Sequence, residues 1–303
     1  MRELLRKILP RSAFHAVKTS WRSLRGKVNI LLVNAKIKLH LPLKKKRKKI
    51  RFEVHVAEHC NLNCKACNNF SSIAEPEFVD VDEFRRDFER LGEIFSHECD
   101  QIYLIGGEPL LNPEIITLMG IARRNFTHGT ISIFSNGLLL PKMPPEFWEA
   151  CRNNNIDVHV SAYPVKIDID TIKAMAEKYG VKFSWSSSRD SFYIEPINLK
   201  GNSNGALNFG LCVRANSCIA LSHGKMYTCT FVPNIRHFNR KFKQSIEVTP
   251  KDYVNIYDDD VTADDILQKM SEPIPACRYC RIRNSDVKEI KWGVTQGKIE
   301  EWT

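Results

Sequence analysis

The chain has 303 residues, 43% of them hydrophobic and 26% charged, which is enough to bury a substantial core and reads as globular. Its formal charge of +10 is unevenly spread: residues 1–51 hold 17 Lys or Arg against the single acid Glu3, and the remainder holds 28 bases and 34 acids. The main body is therefore not a basic nucleic-acid-binding domain; the basicity belongs to an arm, either a solvated tail or a segment that seeks phosphate on nucleic acid or an anionic membrane surface.

In chain order, residues 11–41 predict a helix, with Phe14, Val17, Trp21, Leu24, Val28, Leu31, Ala35 and Leu39 at steps of three or four. Arg11, Lys18, Arg22, Arg25, Lys27, Lys36 and Lys38 lie mostly off that stripe, and Pro42 ends the pattern. Such a basic amphipathic helix either lies on a membrane surface or covers an apolar patch of its own protein. KKKRKK at 44–49 links this arm to the domain.

From residue 52 strands and helices alternate. FEVHVA (52–57), QIYLI (101–105), TISIFS (130–135), IDVHVS (156–161) and VKFSWS (181–186) predict strands, with FYIEPI (192–197) as a sixth. Helices are predicted over 80–95, over 112–126 with Asn112 as N-cap, over 144–154, and over 168–180 closed by Gly180. This rhythm implies parallel strands with right-handed crossovers. NLKGNSNGALNFG (198–210) reads as a linker, CIALSHGKMYTC (218–229) as a hairpin turning at His223-Gly224, and TADDILQKM (262–270) as a short helix capped by Thr262. Three segments follow: a basic arm over 1–51, an α/β domain over 52–200 and a cysteine-bearing region over 201–303.

MRELLRKILPRSAF is charged throughout and no apolar run approaches the ~20 residues of a membrane span, so neither a secretory signal nor a spanning helix is expected. The expected location is cytoplasmic, peripheral at the inner membrane surface if the arm binds lipid. Thiols stay reduced there, and ten clustered cysteines suggest metal or redox chemistry.

Cys60, Cys64 and Cys67 form C-x3-C-x2-C on the loop after the first strand. Structural zinc wants four closed ligands; His55 lies on the strand and His59 is too close to Cys60 to share its metal easily. Three thiolates on an iron–sulfur cube leave one iron open, as a catalytic site would use. This spacing resembles the signature of radical S-adenosylmethionine (SAM) enzymes, and GGEP at 106–109, after the second strand, matches a second motif of that family.

The resemblance implies an α/β fold: a partial (β/α)6 TIM-like barrel of the radical SAM type, with a small C-terminal Fe–S extension and an N-terminal basic helical arm. It implies that Cys60, Cys64 and Cys67 hold a [4Fe-4S] cluster whose open iron chelates SAM. It also implies that an electron from the cluster cleaves SAM to a 5′-deoxyadenosyl radical, which abstracts a hydrogen from a substrate. Gly106, Gly107 and Glu108 would bind the SAM amino group, with Ser135, Asn136 and Ser161 as further SAM contacts. The family often has an aromatic residue before the third cysteine; here it is Ala66, with Phe70 the nearby substitute. An electron donor such as flavodoxin or ferredoxin is an implied partner.

Cys212, Cys218, Cys229, Cys277 and Cys280 resemble a twitch domain, the short form of SPASM, which holds one auxiliary [4Fe-4S] cluster. Family spacing selects Cys212, Cys229, Cys277 and Cys280; hairpin pairing of Cys218 with Cys229 makes Cys218 the alternative to Cys212. Buried thiols or a zinc site are the other reading of this set, and Cys99 and Cys151 read as core residues. The implied substrates are a sugar or glycan intermediate, otherwise a peptide or protein side chain; the segment before residue 52 offers no winged-helix leader-binding module. No hydrogen donor or base is assigned, although Tyr163, Tyr193 and Glu195 lie near strand ends. The rival class is a non-catalytic, metal-stabilised RNA- or membrane-binding protein, which would have no use for GGEP.

Overall fold

The computed structural model of the chain describes residues 11–186, 190–194, 196–282 and 287–303. The arm is a helix, α1 (Arg11–Lys38). It is followed by β1 (Arg51–Ala57), α2 (Val81–Ile94), β2 (Glu98–Gly106), α3 (Ile115–Asn125), β3 (His128–Ser135), α4 (Pro145–Asn153), β4 (Ile156–Val160), α5 (Ile169–Tyr179) and β5 (Phe183–Trp185). These five strands are parallel neighbours in sequence order, as the alternation predicts. Phe52, Val54 and Val56 of β1 are buried in one core with Phe84, Phe88 and Leu91 of α2, with the Phe52 and Phe88 rings 5.8 Å apart.

Local signals explain the boundaries. Asp80 caps α2 through Glu83 N–H at 2.8 Å, and Gly180 ends α5 with a φ of 66°. The helix expected from Asn112 starts later, at Ile115. Asn112 serves the turn instead: its amide donates to Val56 O at 2.6 Å and its carbonyl accepts from Glu114 N–H, tying the turn to β1.

The expected sixth barrel strand is different. β6 (Ser191–Ile194) leaves the main sheet and pairs antiparallel with β10 (Lys288–Lys291). The main sheet grows at its other edge, where β7 (Ala220–Ser222) lies parallel to β1 and is followed by β8 (Lys225–Tyr227) and β9 (Tyr253–Asn255). Among the described residues the sheet order is β5-β4-β3-β2-β1-β7-β8-β9. The β7–β8 turn is the expected one, with His223 and Gly224 both left-handed at φ 49° and 66°.

The linker expected at 198–210 holds a helix, α6 (Gly205–Leu211), capped by Asn204. Two further α-helices follow among the described residues. α7 (Phe231–Phe242) was not expected, and α8 (Ala263–Met270) carries the Thr262–Asp265 capping box. The 44–49 block is pinned rather than loose: Lys44 donates to Cys212 O, Lys46 pairs with Asp264, Arg47 donates to Asn216 O, and Lys49 pairs with Glu98.

Candidate active site and cysteine clusters

The loop after β1 carries Cys60, Cys64 and Cys67 at the carboxyl end of the parallel strands, where open α/β sheets bind ligands. Asn63, Ala66 and Phe70 adopt positive φ of 49°, 51° and 57°, a conformation non-glycine residues hold only when their surroundings impose it. The thiols lie within electrostatic reach of one another. Burial pushes Cys60 up to about 11 and Cys64 up to about 12, so an empty site disfavours thiolates that a bound cation would stabilise.

The GGEP turn interlocks with this loop. Gly107 N–H donates to Ala57 O at 2.8 Å and Glu108 N–H to His59 O at 3.1 Å. A Cβ on Gly106 would lie 2.1 Å from Ala57 O and one on Gly107 2.0 Å from His59 O, so only glycine permits this approach. Glu108 is 0% exposed. Its carboxylate accepts from Leu110 N–H, Ser135 Oγ and Asn136 N–H at 3.2, 2.8 and 2.8 Å, and burial raises its pKa to about 7. Glu108 thus binds the ends of β2 and β3 together. Ser135 is buried and its hydroxyl serves Glu108 and Gly137 N–H. The Asn136 amide reaches Asn61 Oδ1 at 2.7 Å and Cys60 Sγ at 3.7 Å.

Ser161 follows β4, and its N–H donates to Ser135 O. Two residues on, Tyr163 stands within electrostatic reach of Cys64, Cys67, Cys60 and Glu108; burial, then these negative neighbours, raise its hydroxyl pKa. Tyr193 is elsewhere, donating to Glu289 at 2.9 Å on the β6–β10 pair, and Glu195 lies outside the described residues. Phe70 does not supply the aromatic face missing at Ala66. It is buried against Phe231, Phe238 and Trp302, because the chain turns it into the extension's core.

Sequence reasoning missed two supports. On one side α7 brings His237, whose Nε2 lies 2.6 Å from Glu58 Oε2, and Arg236, paired with Glu77 at 2.9 Å. His55 Nδ1 is 3.7 Å from Glu58, and a cavity of about 250 Å³ opens beside this group. His59 instead packs on Phe78 at 5.2 Å. On the other side the C-terminal segment closes over the loop. Trp292 Nε1 donates to Cys64 Sγ at 3.2 Å, Lys65 N–H to Gly293 O, Thr295 N–H to Asn63 O, and Trp302 Nε1 to Cys67 O. The one sequence signal was two tryptophans in a polar stretch, which must find cover.

Cys212, Cys229, Cys277 and Cys280 line one apolar cavity of about 30 Å³. Cys229 sits at the start of α7 and accepts from Phe231 and Val232 N–H; burial raises its pKa, as it raises Cys277 to about 11. Asn208 binds the carbonyls of Cys277 and Cys280 at 2.9 and 2.6 Å, fixing that turn. Cys218 is apart, hydrogen-bonded to Glu53. The hairpin register, with Ala220 opposite Tyr227, points Cys218 toward Cys229 as expected, but the ladder ends at that pair, and beyond it Asn216 N–H donates to Thr228 O. A cavity of about 50 Å³ is lined by Asn68 and Phe70 of the cysteine loop together with Cys212, Cys229 and Cys280. Cys99 and Cys151 are buried in the main core.

The model of the radical SAM superfamily matches residues 54–185. The chain carries a radical SAM domain. Such a domain belongs to an enzyme and takes a [4Fe-4S] cluster and SAM. The domain is similar to part of molybdenum cofactor biosynthesis protein 1 of Bos taurus, at 29% identity over 98 residues, or 32% of this chain and 15% of that protein. The Homo sapiens protein matches at 27% over 101 residues, again 32% and 15%; the chain thus spans a small part of these relatives. Among solved structures, BtrN in complex with AdoMet and 2-DOIA matches at 16% identity and TM-score 0.46, covering 77% of this chain and 85% of that one. Native anSMEcpe with bound AdoMet matches at 13% and 0.48, covering 78% and 91%.

The residues around the radical SAM loop fit the group. Among the described residues no three His, Cys, Asp or Glu side chains converge on one ion, but a cube asks for less, since each thiolate takes its own iron. N–H donors aimed at Cys60 and Cys64 suit anionic sulfur. No helix of the described residues is long and apolar enough to cross a membrane.

Proposed function

We propose that the chain is a radical SAM enzyme in which Cys60, Cys64 and Cys67 hold three irons of a [4Fe-4S] cluster and leave the fourth for SAM. The observation that carries this reading is the interlock of the cysteine loop with GGEP, where two glycines admit a backbone approach that any Cβ would block. When bound, cluster and SAM supply reductive cleavage and hydrogen-atom abstraction from a substrate. The chain's own residues prepare the site. Glu108 locks the turn whose glycines pack on the cysteine loop, Asn136 holds the loop at Asn61 and Cys60, Ser161 offers a polar contact, and Tyr163 places a phenol beside the thiols. Ser135 acts through Glu108.

Residues 1–51 serve as an arm, 52–200 as the partial barrel and 201–303 as a twitch-like extension. Within the extension Cys212, Cys229, Cys277 and Cys280 hold an auxiliary [4Fe-4S] cluster; the shared cavity supports this set over one containing Cys218. The substrate is a sugar or glycan intermediate, a reading supported by the basic amphipathic arm, which suits work beside a membrane. A flavodoxin or ferredoxin supplies the electron in the cytoplasm.

The test is anaerobic reconstitution with iron and sulfide, then SAM and dithionite, comparing wild type with a Cys60/Cys64/Cys67 triple Ala variant. About eight irons per chain, falling to about four with loss of 5′-deoxyadenosine, is expected. Zinc in place of iron, or equal product from both proteins, would instead indicate a structural metal protein. Deuterium transfer into 5′-deoxyadenosine from labelled nucleotide-sugars, against labelled peptides, separates the substrate classes.

A further inference from the structure

The arm helix has two apolar faces, and the fold uses only one. At about 100° per residue, Gly26, Ile30, Val33 and Ile37 share a side, and each is buried or half-buried, as is Asn34 at the edge of that side. That side packs on α6, where a Cβ on Gly210 would lie 2.5 Å from Val33 Cγ1. The opposite side presents Leu24, Val28, Leu31 and Leu32, continued by Leu39, whose N–H closes the last turn onto Ala35 O; Leu31 is 68% and Leu39 67% exposed. These five lie within an arc of about 100°. Arg25 and Lys36 border one edge of the arc and Lys27 and Lys38 the other, all exposed.

We propose that this outer face of α1 seats the protein on an anionic lipid bilayer, with the helix in the plane of the surface. An apolar strip flanked on both edges by cations is the arrangement that sinks leucines below the headgroups while holding the cations at lipid phosphates. The strip is contiguous, unlike the scattered exposed apolar side chains of an ordinary surface. Because the inner face stays docked on α6, lipid contact does not require the helix to leave the body.

Charge decides against the other occupants. No acidic residue occurs between positions 4 and 52, so pairing with a second copy would bring cation-lined edges together. A nucleic acid would have to lay its backbone over five aliphatic side chains. A spanning role is also unsuited, since the helix is not long and apolar enough to cross.

The experiment is co-sedimentation of the full chain with vesicles of phosphatidylcholine alone or of equimolar phosphatidylcholine and phosphatidylglycerol, at low and high salt. Binding to the anionic vesicles is expected to exceed that to neutral ones by about tenfold or more, to fall with salt, and to fall again about tenfold in a Leu31→Glu/Leu32→Glu variant. Both leucines are exposed, so the variant should fold; circular dichroism and size-exclusion chromatography check this. A second variant, Lys27→Gln/Lys38→Gln, should lose anionic selectivity while keeping the apolar strip. Equal binding of wild type and the leucine variant would overturn the proposal. So would a dimer in solution that this variant abolishes, or RNA binding that it leaves unchanged in a protein that ignores vesicles.

Discussion

The indole N–H of Trp292 points at Cys64 Sγ from 3.2 Å, joining two residues 228 positions apart in the chain. A hydrogen bond to a cluster thiolate withdraws electron density and makes reduction easier. Trp292→Phe should therefore keep the iron content and lower the midpoint potential of the radical SAM cluster, read by EPR during a redox titration. An unchanged potential would mean that the indole only packs.

Glu108 predicts a pH effect in the metal-free protein. Burial raises its pKa from 4.5 to about 7, so the folded state holds the proton more tightly than the unfolded state. Stability should then fall as pH rises between those values, by on the order of 3 kcal/mol. Glu108→Gln should flatten that slope in urea unfolding across the window. A wild-type slope no steeper than the variant's would mean that the carboxylate stays ionised in the fold.

Glu58 predicts the opposite sign. Burial alone would push its pKa up, but the hydrogen bond to His237 and the neighbouring His55 ring prevail and hold it well below the usual carboxylate range. The stability it contributes is present above about pH 4.3 and is lost as pH falls toward its folded value. Glu58→Gln should cost about 3 kcal/mol at neutral pH and weaken the acid dependence of thermal unfolding. An acid limb as steep as wild type would place the depressed carboxylate elsewhere.

The auxiliary cysteines separate by substitution. Cys212→Ala should remove about four irons per chain, and Cys218→Ser, altering a thiol bonded to Glu53, should remove none. Iron and sulfide assays after reconstitution read the difference; the reverse pattern would exchange the two residues' roles.

The five parallel strands, their helices and the cysteine loop were legible because each rests on local signals: alternation, caps such as Asp80, and Gly180. The sixth strand failed because FYIEPI finds its partner nearly a hundred residues away at Lys288–Lys291, and no local pattern encodes such a pairing. Asn112 misled for a related reason. A good cap residue was taken by Val56 O of β1. Phe70 carried the right chemistry, but its positive φ turned the ring into the extension's core. α7 was missed although it supplies His237, since its value lies in a buried pair with Glu58 that only the tertiary fold creates. In the arm, periodicity identified the stripe, but the packing face is its opposite, which the stripe alone could not reveal.

The C-terminal strap also sets an order of events. Trp302 reaches back 235 positions to Cys67 O and Trp292 reaches back 228 to Cys64. During synthesis the cysteine loop emerges well before its cover, which lies 228 and 235 positions further along, and contacts of such long sequence separation form slowly. Until then the loop's thiols lack their seal. The nascent chain thus passes through a window in which the loop is open to cluster delivery and also exposed to oxidants, and closure of the strap ends both.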